Sequence, residues 1–240
     1  MTDYDARLVA LYDEDNPDGP DHGFYRSLAD EMGAQTVVDI GCGTGILTVT
    51  FARPGRRVVG IDPSPNMLAW AESRPDGANV RWVAGDSRDI PGRRFDYAVM
   101  TGNVAQHIPD GEWERTLSDI HSALRVGGVL AFESRNPKLR AWDTWAEANP
   151  TTRPTEQGPL REWLEVSEPA PGRVTLTAHN EFENIGDDVV EELTLAFRER
   201  AVLESQLTNA GFTVETVWGS WDRLPCTDES PVMIFQARRK

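Results

Sequence analysis

From Gln35 to Ser134, short β-branched runs alternate with segments of helical spacing, and this rhythm constrains the fold more than any other feature. QTVVDI (35–40), RRVVGID (56–62), NVRWVAGD (79–86), FDYAVMTG (95–102) and Val126–Ser134 read as strands, apolar on both faces. GILTVTFAR follows the first strand with helical spacing at Ile46, Val49 and Thr50. Ser64 and Pro65 open a further helix with Met67, Leu68 and Ala71 on one face, and residues 111–124 supply another. Strands buried on both faces and separated by helices specify a parallel sheet covered on both sides. The expected fold class is therefore α/β, a doubly wound, mostly parallel sheet.

The rhythm breaks at Asn136. WLEVSE (163–168), RVTLTAHNEF (173–182) and VVEELTLAFRE (189–199) alternate with period two between PAPG and NIGDD turns, which predicts an antiparallel sheet with one wet face. Arg200–Ala210 is then helical, with Gly211 as its terminator, and FTVETVWGS and PVMIFQARR read as two closing strands. Helices are expected near Tyr4–Leu11 and Asp21–Met32, on either side of a turn-rich DEDNPDGPD. The division follows: 1–34 a helical lid segment, 35–137 with 199–240 a ligand-binding domain, and 138–198 a β insertion acting as substrate lid or dimer contact.

Composition narrows the functional classes. A net charge of −15 repels nucleic acid and anionic membrane, and Lys138 and Lys240 are the only lysines. Two cysteines far apart, Cys42 and Cys226, argue against a disulfide framework or a thiolate metal site. The acidic start MTDYDARL lacks a signal-peptide layout, and no apolar run approaches the ~20 residues of a membrane span. The expectation is a soluble, cytoplasmic protein, monomer or homodimer, without metal.

The turn after the first strand, VVDIGCGTG, carries Gly41, Gly43 and Gly45 where backbone can lie against a ligand and amides point outward. A P-loop needs a lysine directly after its last glycine, and there is none. The dinucleotide fingerprint needs glycine or alanine where Ile46 stands. Asp39, two residues before the first glycine, repels a pyrophosphate and suits a cation. Asp62 ends the second strand, about 20 residues on, where an acid takes ribose hydroxyls. Asp86 and Ser87 end the third beside the same crevice. Ribose, base and a positively charged remainder together describe S-adenosylmethionine.

VVDIGCGTG, VVGIDPSPNML, WVAGD, FDYAVMTG and LRVGGVLAF, in this order and spacing, resemble the class I S-adenosylmethionine-dependent methyltransferases over roughly residues 35–135 and 199–238. NPDGPDHGFYRSLAD, SRNP and GSWDR are similar to a bacterial group within that family with mostly small-molecule substrates. The resemblance implies a Rossmann-like seven-stranded sheet ordered 3-2-1-4-5-7-6 with strand 7 antiparallel. It implies S-adenosylmethionine as cofactor and S-adenosylhomocysteine as product. Carried over residue by residue, Gly41, Cys42 and Gly43 lie against the methionine part and Asp39 near its ammonium. Asp62, with Pro63 after it, holds the ribose; Asp86 faces the adenine amine; Ser87 adds an amide; Met67 covers the adenine. Thr101 and Gly102 offer backbone to the ammonium, and Asn103 and Tyr25 complete the cofactor set. For Asp86 a solvated turn, and for Met67 ordinary helix core, remain the structural alternatives.

Methyl transfer from a sulfonium is an in-line displacement that needs alignment and removal of water, and a base only when the nucleophile holds its proton. His107, after strand four, is the candidate base, with packing as its alternative. Gln106, Arg135, Trp142 and Tyr12 are the candidate substrate contacts, Arg135 for a carboxylate or else an internal ion pair. Trp145, Trp163, His179 and Phe24 are read with them as lid aromatics. The acceptor atom (oxygen, nitrogen or carbon) stays open. So do a nicotinamide-dependent oxidoreductase on a similar fold, disfavoured by Asp39 and Ile46, and a non-catalytic protein that only binds the cofactor.

Overall fold

The computed structural model describes residues 3–240 apart from 93, 147, 148 and 185; the first two residues of the expected 1–34 segment thus lie outside the described residues. Helices α1 (Ala6–Asp15) and α2 (Pro20–Glu31) precede the alternating region of β1 (Thr36–Ile40), α3 (Thr48–Phe51), β2 (Arg57–Asp62), α4 (Pro65–Ser73), β3 (Val80–Ala84) and β4 (Phe95–Met100). Then come α5 (Val104–His107), α6 (Asp110–Ala123) and β5 (Leu124–Arg135). Strands β6 (Thr151–Thr155), β7 (Gly158–Ala170), β8 (Arg173–Phe182) and β9 (Asp187–Ala196) form the insertion. The chain closes with α7 (Arg200–Asn209), β10 (Phe212–Trp218) and β11 (Val232–Arg239).

The main sheet runs β10-β11-β5-β4-β1-β2-β3. Strands β1 to β5 pair in parallel, and β11 lies antiparallel between β5 and β10. Counting the insertion's strands apart, this is the expected 3-2-1-4-5-7-6 order. Trp113, Leu117 and Ile120, at helical spacing on α6, are fully buried with Leu203, Leu207, Phe132 and Phe235 on one face of the sheet. Phe24, Tyr25, Leu28, Phe51, Tyr97 and Ile234 fill the other. The Ser64 hydroxyl caps α4 by accepting from the Met67 amide at 3.2 Å, with Pro65 in the first turn.

Three expectations shift. The helix expected over GILTVTFAR is a single turn: Ala52 is already extended (ψ 123°), and Pro54 favours that geometry in Arg53 before it. The first helix starts later than expected, at Ala6, where the Asp5 carboxylate caps it by accepting from the Arg7 amide at 2.9 Å, and it runs further, to Asp15, closed by the Asn16 amide donating to the Tyr12 carbonyl at 2.8 Å. Strand β6 was not foreseen: TTRPT contains Pro154, and a proline is tolerated there because β6 is the edge of its sheet.

The second sheet, β6-β7-β8-β9, is antiparallel throughout, as its period-two pattern requires. Leu160 and Phe182 pack with Leu11 of α1 from one face, which also holds Val174 and Leu195 against Trp142 and Phe197. The alternate residues point the other way: Trp163 stacks on His179, rings 4.4 Å apart and 4° from parallel, beside the half-exposed Val190. Among the described residues no helix is long and apolar enough to cross a membrane.

Candidate active site

The turn from β1 to α3 is built on left-handed backbone at Gly41 (φ +74°), Gly43 (+52°) and Gly45 (+73°), which side chains rarely adopt. The three glycines have different neighbours. A Cβ on Gly41 would meet Val104 at 2.5 Å, and one on Gly45 would meet Trp82 at 2.6 Å. Only Gly43 faces open space. The protein's own packing therefore explains two glycines, and the approach of a ligand is left to the third. Cys42 sends its sulfur toward Gly60, whose added Cβ would lie 3.1 Å from it, so only its backbone is left for the crevice.

Two acids bracket this turn. Asp39 is 1 % exposed; its Oδ2 accepts from the Thr48 hydroxyl at 2.7 Å, while Oδ1 has no partner among the described residues. Burial pushes its carboxyl up to about 7, against the Thr48 bond and with help from the charges of Asp62 and Glu133. Asp62 Oδ2 accepts from the Gly43 amide at 2.8 Å and Oδ1 from the Ser64 amide at 2.9 Å. Burial raises its pKa, opposed by those two amides. Asp62 thus shapes the glycine turn besides ending β2. Pro63 is exposed, and Met67 is buried on the inner face of α4.

Asp86 and Ser87 take the turn reading. The Asp86 carboxylate binds Arg88 (2.6 Å) and lies 3.7 Å from Arg115, and the Arg88 hydrogen bonds hold its pKa below the usual range. The Ser87 hydroxyl is buried and donates to Asp119 at 2.8 Å. The Ser87 hydroxyl is committed to Asp119, which leaves its amide for a base, and the part-exposed Asp86 carboxylate keeps lone pairs beside its arginine contacts.

Beyond β4 come Thr101, Gly102 (φ +66°) and Asn103 (φ +62°), then the one-turn α5 carrying Gln106 and His107. The Asn103 amide donates to Glu133 Oε1 at 2.5 Å, and the Tyr25 hydroxyl donates to Glu133 Oε2. Tyr25 was expected to touch cofactor; it is wholly buried and backs the crevice rather than lining it. Gln106 is fully buried, accepts from Arg135 Nη1 at 3.1 Å, and keeps an unpartnered Nε2. The Arg135 guanidinium lies over the Trp145 ring at 5.0 Å, and among the described residues no carboxylate is within ion-pairing distance of it. Burial lowers its pKa. Burial, with Arg135 adding, takes the His107 imidazole down to about 4.

The N-terminal segment roofs the Asp62 end. Asp3 accepts from the Ser64 hydroxyl at 2.5 Å and the Tyr4 carbonyl from Asn66 at 2.7 Å. Burial raises the Tyr4 phenol to about 12 and raises Tyr12 as well, with Asp62 contributing to both. Asp13 pins α1 to the glycine turn through the Thr44 hydroxyl (2.6 Å) and to α4 through Trp70 (3.2 Å) and Arg74. Trp142 is a correction: it sits 4 % exposed in the insertion's core, 4.4 Å from Phe197, with no face for a substrate. Trp163 and His179 are on the sheet face opposite α1, so they do not line a lid.

Sequence reasoning missed several members of the site. The Glu133 pairing with Tyr25 and Asn103, the role of Thr48, and Asp13 had no motif to flag them. Arg198, donating to the Ala105 carbonyl at 2.9 Å and the Ile108 carbonyl at 2.7 Å, ties the end of β9 to α5 and went unnoticed too.

Residues 37–128 match the family described as "Methyltransferase domain". The rabbit (Oryctolagus cuniculus) "Glycine N-methyltransferase" is 30 % identical over 128 residues, covering 45 % of this chain and 43 % of the relative. "Ubiquinone biosynthesis O-methyltransferase" of a Methylobacterium species is 33 % identical over 126 residues, covering 50 % and 49 %. The chain thus spans less than half the length of these relatives. A solved S-adenosylmethionine-dependent methyltransferase from Clostridium acetobutylicum superposes with a TM-score of 0.81 at 14 % identity, covering 97 % of this chain and 98 % of that one. Residues 37–128 are thus similar to a methyltransferase domain, and the whole chain shares the fold of that solved S-adenosylmethionine-dependent methyltransferase.

Proposed function

We propose that the protein transfers a methyl group from S-adenosylmethionine to a nucleophile on a small molecule. The observation that carries this reading is Asp39: a buried carboxylate oxygen without a partner among the described residues, on the strand that leads into the glycine turn, of whose three glycines Gly43 faces open space. An orphaned buried acceptor is costly unless a ligand supplies a donor or a positive charge. That unpaired acceptor fits an ammonium-bearing, sulfonium-type cofactor and opposes a diphosphate. When bound, the cofactor supplies an already activated methyl.

The chain's residues do the rest. Asp62, fixed by two amides, presents its remaining lone pairs to the ribose hydroxyls. Thr101 and Gly102 offer backbone, Tyr4 and Tyr12 keep water from the Asp62 end, and the 1–34 and 138–198 segments close the crevice. Arg135 and the free Nε2 of Gln106 form a donor-only corner suited to an acceptor's carboxylate. His107 is uncharged at neutral pH and, with a conjugate acid near 4, serves alignment better than proton abstraction.

Thermal melts test the cofactor. S-adenosylhomocysteine at ~100 times its Kd stabilises by about 2.7 kcal/mol, a melting shift of roughly 5–10 °C for a chain of this size. NAD and ATP shift it little. A shift with NAD alone would make the protein an oxidoreductase instead. Binding without transfer from labelled cofactor to any of a panel of small carboxylates, amines and phenols would leave a binding protein. Arg135→Met raises KM for a carboxylate acceptor and leaves KM for its methyl ester unchanged.

A further inference from the structure

A buried relay runs from α2 to the loop after β4. Tyr25, on α2, has no exposed surface and donates its hydroxyl to Glu133 of β5. Glu133, itself 3 % exposed, accepts the Asn103 amide on its other oxygen. Both carboxylate oxygens are therefore used, one to receive the anchor and one to hold the loop. Gly102 and Asn103 are consecutive left-handed residues, a conformation that a non-glycine side chain resists. Each backbone bond around them is local: Val104 to the Thr101 carbonyl at 3.4 Å, Gln106 to the Asn103 carbonyl at 2.8 Å. Glu133 is the one group from outside the loop that holds this turn by hydrogen bond among the described residues.

The turn matters because of what it carries. Before it lie Thr101 and Gly102, whose backbone faces the crevice under the reading proposed above. After it lies the single helical turn with Gln106 and His107, and Val104, whose methyl groups fill the space over Gly41. A small rotation at Asn103 moves all of these together. We infer that Tyr25 and Glu133 are positioning residues: they hold the Gly102–Asn103 turn in its left-handed form and so place the loop backbone against the cofactor. This rests on the methyltransferase reading, and neither residue touches the reacting atoms.

The alternative is that Glu133 acts by charge, attracting the cofactor's ammonium directly. Glu133→Gln separates the two, since its amide oxygen still accepts from Asn103 while the charge is gone. Glu133→Leu has similar bulk and no acceptor. If the relay positions the loop, Glu133→Leu speeds hydrogen exchange at the Asn103 amide about tenfold or more and weakens S-adenosylhomocysteine binding by a similar factor, the loss of one hydrogen bond to a charged group. Glu133→Gln stays within about threefold of the unaltered protein in both readouts. Glu133→Gln binding as weakly as Glu133→Leu overturns the inference in favour of charge; unchanged exchange and affinity in Glu133→Leu overturns it outright. Should Glu133→Leu not fold, Tyr25→Phe keeps the ring and removes the anchor: faster Asn103 exchange with weaker binding supports the relay, and no change in either refutes it. If the unaltered protein does not bind S-adenosylhomocysteine, the functional reading fails, while exchange at Asn103 still decides whether the relay holds the turn.

Discussion

Asp39 makes the sharpest prediction, because its environment sets both a pH and a sign. In the ligand-free protein burial holds its carboxyl at about 7, so it is mostly protonated at pH 6 and mostly ionised at pH 8. A cationic ligand binds the ionised form. The observed Kd then scales as one plus the ratio of protonated to ionised carboxyl, about 11 at pH 6 and about 1.1 at pH 8, so affinity rises roughly tenfold across that interval. Isothermal titration calorimetry with S-adenosylhomocysteine, whose ammonium stays charged over this range, measures it, with proton release on binding as an independent check. Glu133 also titrates near 7 and its charge is a small contribution to Asp39, so Glu133→Gln is the control. Asp39→Asn should flatten the profile and weaken binding by about 1.5–3 kcal/mol, the value of a hydrogen bond to a charged group. The stability sign is opposite. A carboxyl whose folded pKa is raised from 3.8 to about 7 contributes stability that is present below 3.8 and lost as pH rises through 7. Asp39→Asn should therefore melt higher than the unaltered protein at pH 8 without ligand, while binding ligand worse. A flat affinity between pH 6 and 8, or an Asn variant that keeps the slope, would refute the argument.

Three further outcomes follow from the same geometry. Asp62→Ala removes the ribose acceptor and the anchor of the Gly43 amide, and should weaken cofactor binding about a hundredfold by calorimetry, while circular dichroism shows the fold retained. Gly41→Ala should lower Tm the more, because its Cβ meets Val104 at 2.5 Å in addition to the left-handed strain; Gly43→Ala carries only that strain, about 1–2 kcal/mol, and should act on cofactor Kd besides, since no described atom lies within 4 Å of its Cβ. With His107 near 4, single-turnover rates should be flat from pH 5.5 to 8.5 as far as His107 is concerned, and His107→Ala should change the acceptor's KM more than kcat; a rise through pH 6–7 lost in the variant would restore it as base.

The main sheet was legible because β1, β2, β4 and β5 are largely apolar on both faces, the pattern of a covered parallel sheet, while β3 at the edge keeps Arg81 exposed. Asp39 and Asp62 were legible because each sits in the last residues of a strand, at a spacing with a chemical reason. Side-chain commitments were not. Asp86 could be placed at the crevice, but nothing in GDSRD says that Arg88 and Arg115 take its carboxylate. Trp142 and Trp163 look alike in sequence, and only strand register and the path of α1 decide that one is core and the other faces outward. Tyr25 and Glu133 lie 108 positions apart, and their bond exists only after the sheet has closed.

The position of β11 has a consequence for synthesis. It is the last strand of the chain, yet it lies inside the sheet between β5 and β10, pairing Val232 with Arg135 across the whole insertion. Such non-local pairing is slow, since the chain must close a long loop before any strand contact repays it. Until residues 232–239 emerge from the ribosome, β5 presents an unpaired edge with Phe132 and Glu133 on it, and β10 has no neighbour in its sheet. The nascent protein therefore carries these open edges until β11 has been made, and the eight residues of β11 close the sheet in one step.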